Sequence, residues 1–143
     1  MGASVVGIWK GITQDQLADQ PSFYNDCKAW GDWMAERYNH PELLALHKRL
    51  GIEPLLSHTT EGMNEREVNW VSPEQLAIAA SRLREMVLAK DERVQPMLKV
   101  YSQNANNVDP IEDEFARDLS DVAAIATFAK EHGVKKMTLE VNW

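Results

Sequence analysis

Two stretches of this chain open in the same way, and they limit what it can fold into more than any other feature. Ser72-Pro73-Glu74-Gln75 and Asp109-Pro110-Ile111-Glu112 each place a side-chain acceptor, then a proline, then an amide or acid three residues after the acceptor. The acceptor side chain can take the N3 amide of a starting helix, proline loses nothing at N1, and Gln75 or Glu112 can reach back to the cap. Behind each cap the apolar residues recur at helical spacing. Leu76, Ala79, Ala80, Leu83, Met86 and Val87 form one stripe; Ile111, Phe115, Leu119, Val122, Ile125 and Ala129 form the other. The spacing predicts two long amphipathic helices, the second running to about His132 with Gly133 just past its end. Each must bury one face against something else.

The rest of the pattern supplies partners. Ala3 to Trp9 is rich in strand-forming residues and ends at Lys10-Gly11, which predicts a first strand. Thr13 caps a short expected helix through Ala18, closed by Pro21. Ser22 to Tyr38 reads as a helix, with Phe23, Cys27, Trp30, Trp33 and Met34 along its apolar side. Pro41 starts another, with Leu43, Leu46, His47 and Leu50 inward and Gly51 as its stop. Ile52 to Leu56 is expected to be a short edge strand because Pro54 is tolerated only at an edge. Ser57 to Asn64 reads as a polar loop. Glu67 to Val71 alternates like a strand, Asp91 caps a helix burying Val94, Met97, Leu98 and Tyr101, and Gln103 to Val108 is an Asn-rich loop. Met137, Leu139, Val141 and Trp143 alternate with polar residues in a final strand.

The expected class is α+β: a small, mostly antiparallel sheet of three or four strands, with helices packed on one face and helix content exceeding strand. At 143 residues the chain fits one globular domain, residues 1–143. Hydrophobic residues make up 44% of it, enough to exclude a largely disordered chain.

Charge and cysteine use narrow the setting. The formal charge is −7, which disfavours nucleic-acid binding unless a local basic patch exists. The best candidate is Lys130 with Lys135 and Lys136, and the helix dipole and strand solubility explain it better. Cys27 is the sole cysteine; it admits no internal disulfide and no zinc site with two Cys ligands. That fits a reducing compartment, and the N-terminus carries neither a secretory signal nor a myristoylation pattern. The longest apolar run, Val122 to Ala126, is too short for a membrane span. The expectation is a cytoplasmic protein without membrane or nucleic-acid partners.

Candidate chemistry is sparse. Cys27 lies on an apolar stripe and reads as core. His40, His47, His58 and His132 show no zinc-binding spacing, so no metal or other cofactor is expected. Glycine-rich phosphate loops and nucleophile elbows are absent. Glu114, Asp118 and Asp121 follow one another at helical spacing and suggest an acidic ridge, either a solvated face or a contact surface for a basic partner. A short repeat stands out: Glu67-Val68-Asn69-Trp70 returns as Glu140-Val141-Asn142-Trp143. On two strands it would present Glu67, Asn69, Glu140 and Asn142 on one sheet face. Five tryptophans (Trp9, Trp30, Trp33, Trp70 and Trp143) all sit on apolar registers, and tryptophan is also enriched where proteins bind.

Met1-Gly2 ahead of a strand, Trp70-Val71-Ser72-Pro73-Glu74-Gln75-Leu76 entering a helix, and the closing helix–glycine–strand resemble pieces of the YfbM-like group of bacterial proteins. The resemblance covers both ends and the middle, not the segments between them. It implies no catalytic residues and is not counted as membership.

Two functional expectations follow. The first is a non-enzymatic, inhibitor- or immunity-like protein that contacts a basic protein partner through Glu114, Asp118 and Asp121, with no catalytic residues. The alternative is a small enzyme or ligand-binding domain with a carboxylate and asparagine site at Glu67, Asn69, Glu140 and Asn142, joined by His58. Homo-oligomerisation through an edge strand is compatible with either.

Overall fold

β1 runs from Ala3 to Trp9 and lies at the centre of an antiparallel sheet. The computed structural model describes residues 3–12, 19–25, 41–59, 65–102 and 110–142. β2 (Phe23–Asn25) pairs with the start of β1, Val5 opposite Phe23. β3 (Met137–Asn142) pairs along the whole of β1, from Ser4 opposite Asn142 to Trp9 opposite Met137. The α+β class holds, with helix in excess of strand and an antiparallel sheet. β1 and β3 are its two full strands, and β2 adds only three residues.

Four helices are described. They are α1 (Pro41–Leu50), α2 (Pro73–Leu88), α3 (Gln95–Ser102) and α4 (Ile111–Glu131). Ser72 caps α2 as its sequence implies, its hydroxyl accepting from the Gln75 amide at 3.1 Å. Asp91 accepts from the Arg93 amide and opens the turn that leads into α3. Among the described elements, α2 and α4 share the most extensive contact. Alanines on their buried stripes, Ala79 and Ala80 on α2 and Ala126 and Ala129 on α4, allow a close approach. α4 also lies against β1 and β2, and α3 against α4. The core between them includes Val5, Trp9, Leu83, Tyr101, Phe115, Ile125 and Leu139.

Three local expectations change. Phe23 is in a strand, not a helix, because pairing with β1 outweighs its helical spacing. Ile52 to Leu56 is not an edge strand. Gly51 turns the chain at φ 71°, and Glu53–Leu56 then forms a 3-10 turn that takes Pro54 in its first positions and buries Leu55. Glu67 to Val71 is not a full strand. Glu65–Glu67 is a 3-10 turn, and only Val71 joins the sheet, exchanging both backbone bonds with Met137. The expected helix at 13–18, most of that at 22–38 with Cys27, Trp30 and Trp33, and His40, Asp109 and Trp143 lie outside the described residues. Among the described residues no helix is long and apolar enough to cross a membrane.

Candidate functional site

The register of the sheet sorts its side chains. Val5, Gly7 and Trp9 stand opposite Val141, Leu139 and Met137 on the buried face toward α4. Ser4, Val6 and Ile8 stand opposite Asn142, Glu140 and Thr138 on the other face. On that second face Thr138 is buried, and the Ser57 hydroxyl donates to its hydroxyl oxygen at 2.7 Å. Thr59 lies alongside Glu140, its amide donating to the Leu139 carbonyl while its own carbonyl accepts from the Val141 amide. His58, half-buried, sits between these two anchored residues. The Asn142 side-chain amide donates from Nδ2 to the Glu140 carboxylate at 2.9 Å.

The repeated Glu-Val-Asn-Trp segments are therefore not equivalent. Glu140 and Asn142 are half-buried on β3 beside the Thr59 segment. Glu67 and Asn69 are exposed and approach the sheet only at its Met137 end. The register brings His58 and Thr59 toward Glu140 and keeps Glu67 and Asn69 at the far end of the strand.

At that far end a different group assembles. The Lys10 ammonium lies 5.8 Å from the centre of the Trp70 ring, and Lys10, Arg66, Val68 and Trp70 line an open hollow of about 270 Å³. Sequence reading missed it, because its residues come from the end of β1 and from the 65–70 segment. The one local signal was the alternation that ends at Trp70.

A larger groove of about 420 Å³ runs between α1 and the start of α3, lined by Glu42, Leu46, Arg49, Glu92, Arg93 and Pro96. Arg93 is clamped by Asp91, Nε to Oδ1 at 3.0 Å and Nη2 to Oδ2 at 2.7 Å. That side-chain bonding, with the Arg93 amide, holds the Asp91 carboxyl at about 2. In turn it raises the Arg93 guanidinium above its ordinary value.

The acidic ridge on α4 is not a solvated ridge. Asp118 is buried and accepts a short hydrogen bond from the Tyr101 hydroxyl, whose ring stacks on Phe115. Glu114 is half-buried with its Oε2 turned out of solvent. Asp121 is half-buried, and burial pushes its carboxyl up against the opposing charge of Arg117. Spacing placed the three acids on one side of the helix; that side leans on α3 and the core. Among the described residues no three His, Cys, Asp or Glu side chains gather as a metal would need. Compared with known proteins, the chain matches no family model, no curated protein and no solved structure.

Proposed function

We propose that this chain is a non-enzymatic protein-binding protein, and that its groove between α1 and α3 takes a basic segment of a partner protein. The observation that carries the reading is the groove's charge arrangement. Leu46 and Pro96 give it apolar surface, Arg93 is bonded to Asp91, and the acids Glu42 and Glu92 line it together with Arg49. A lysine or arginine stem can lie on such a floor with its head at an acidic rim. The chain's net charge of −7 steers a basic partner toward it. The same reading places the protein in the cytoplasm, where Cys27 stays reduced.

The alternative, a site built from Glu67, Asn69, Glu140, Asn142 and His58, has less support. Asn142 already occupies the Glu140 carboxylate, and Glu67 and Asn69 approach the other end of β3. A role for Glu114, Asp118 and Asp121 in the contact also has less support, because Asp118 is buried.

The test compares two charge reversals in affinity capture from the native lysate at low and high salt. Glu42→Lys with Glu92→Lys is expected to abolish a partner that high salt also releases. Glu114→Lys with Asp121→Lys is expected to spare it. A stoichiometric partner indifferent to the first pair overturns the groove, and one lost only with the second pair returns the contact to α4.

A further inference from the structure

The groove between α1 and the start of α3 carries an arginine that a site for cations alone would not need. Glu42, Leu46 and Arg49 stand four and then three residues apart on α1, so they follow one another along a single face. That face offers an acid at one end, an apolar floor in the middle and a guanidinium at the other end. Seven residues separate the acid from the guanidinium, about 10 Å along the helix axis. The second wall is fixed in place. Asp91 accepts from the Arg93 amide and grips the Arg93 guanidinium, and Val94 beside them is fully buried. The 3-10 turn Glu92–Val94 therefore holds Glu92 at the groove with Arg93 already engaged. Arg49 and Glu92 differ from Arg93: among the described residues neither side chain has a hydrogen bond or an ion pair.

An internal basic segment brings only positive charge, and it would set that charge beside Arg49 with nothing for the guanidinium to bind. A chain terminus brings both signs. An α-carboxylate is a planar, two-oxygen anion, which a guanidinium grips through parallel hydrogen bonds. When the terminal residue is lysine or arginine, its cation stands at the end of a long apolar stem that can lie along Leu46 and Pro96. Resting on the protein-binding reading of this groove, we propose that it recognises the carboxyl terminus of a partner chain ending in lysine or arginine. Arg49 holds the α-carboxylate, Glu92 and Glu42 take the side-chain cation, and Leu46 and Pro96 carry the stem. A volume of about 420 Å³ lies at the lower end of the range for binding sites and suits one or two residues of a peptide. Capture of a terminal carboxylate is a recurrent mode of peptide recognition.

The test is a titration of the full chain with the peptide acetyl-Gly-Ala-Leu-Lys, followed by amide chemical shifts. The same peptide amidated at its C-terminus lacks the carboxylate, and acetyl-Gly-Ala-Leu-Gln lacks the cation. Expected is saturable binding of the lysine peptide, with Kd on the order of 1 mM or tighter. Shifts should be confined to residues around Leu46, Arg49 and Glu92. Each altered peptide should bind about tenfold more weakly, since each loses one charge-assisted contact. Arg49→Gln should erase the advantage of the free acid over the amide, and Glu92→Gln should reduce the advantage of lysine over glutamine. Lys48→Gln, an exposed cation on α1 outside the groove, should change neither, and thermal melts should confirm that all variants fold. Equal binding of the free-acid and amidated peptides overturns the proposal and leaves an internal basic segment as the occupant. No saturable shift at the groove with any peptide also overturns it. Capture from lysate separates this failure from that of the groove itself. A partner released by Glu42→Lys with Glu92→Lys, and lost once carboxypeptidase B has trimmed terminal lysine and arginine from the lysate, supports the terminus. A partner released by the reversal but kept after trimming overturns the terminus alone, and one indifferent to the reversal overturns both.

Discussion

α1, α2 and α4 end with one hydrogen-bond pattern and differ in the residue that closes it. In α1 the Gly51 amide donates to the Lys48 carbonyl and the Ile52 amide to that of His47. In α4 Gly133 and Val134 donate to Lys130 and Ala129, and in α2 Lys90 and Asp91 donate to Val87 and Met86. This is the Schellman arrangement, in which the C′ residue is left-handed. The φ values are 71° at Gly51, 77° at Gly133 and 55° at Lys90. A side chain in that region costs about 1–2 kcal/mol. Glycine gives back about 0.5–1 kcal/mol through the larger freedom of its unfolded chain. Lys90→Gly should therefore stabilise the protein by about 0.5–1 kcal/mol. Gly133→Ala should cost the same amount, because an added Cβ there meets nothing within 4 Å and only the backbone term acts. For a domain of this size these are shifts of about 2–4 °C in Tm, up and down respectively. Gly51→Ala is a poorer probe, since its Cβ would come within 2.6 Å of the Arg82 guanidinium. Urea unfolding followed by circular dichroism checks both variants, with unchanged m-values required. A Lys90→Gly protein no more stable than the parent, beside a neutral Gly133→Ala, would refute the backbone argument.

Other perturbations test the packing and the charges. Gly7→Ala would put a Cβ 2.8 Å from Ile125 and closer still to the Trp9 ring, so a loss of about 1–3 kcal/mol is expected in the same unfolding assay. Tyr101→Phe keeps the stack on Phe115 and removes the donor to Asp118; a loss of about 1–3 kcal/mol is expected, and Asp118→Asn in that background should recover part of it. The Asp91 carboxyl is held at about 2, below its ordinary 3.8, so its contribution is complete above 3.8 and is lost as pH falls toward 2. Asp91→Asn should flatten stability across that acid window. Asp121 has the opposite sign: burial raises its carboxyl, so its charged form weighs against the fold as pH rises. Asp121→Asn should exceed the parent in stability at neutral pH and match it below pH 3.8, by denaturation at both.

How much of this was legible in the sequence depended on whether the signal was local. The caps were local: Ser72 with Pro73, Asp91 and the glycines after α1 and α4 each set their own turn, and the elements begin or end where those residues stand. β1 was legible from its run of strand-forming residues ending at Lys10-Gly11, and β3 from the alternation along it. Glu67 to Val71 alternates equally well and is not a strand, because alternation describes a chain suited to a sheet and cannot say whether an edge is open to it. The outer edge of β3 takes Val71 and Thr59 at single points, and the cap at Ser72 turns the chain into α2 straight after the first. The same bridges occupy Met137, Leu139 and Val141 backbone groups that strand-to-strand association through β3 would need. The cluster at Lys10 was illegible for the complementary reason: its members are joined only by register.

The acidic ridge failed for a reason the sequence did contain. Phe115, Val122, Ile125 and Ala129 are buried on α4, and Asp118 falls three residues after the first and four before the second, inside the stripe. A carboxyl at such a position requires a polar partner within the core. Tyr101 supplies it from α3, itself buried and stacked on Phe115 one turn away. An apolar residue at 118 would let α3 slide on α4 with little penalty. The hydroxyl–carboxyl pair tolerates one alignment, because any other strands both groups out of water. That makes Asp118 a determinant of how α3 docks. Since α3 carries Pro96 and begins beside Arg93, it is also a determinant of where one wall of the α1–α3 groove stands. The acid that looked like a surface contact shapes the proposed binding surface from within.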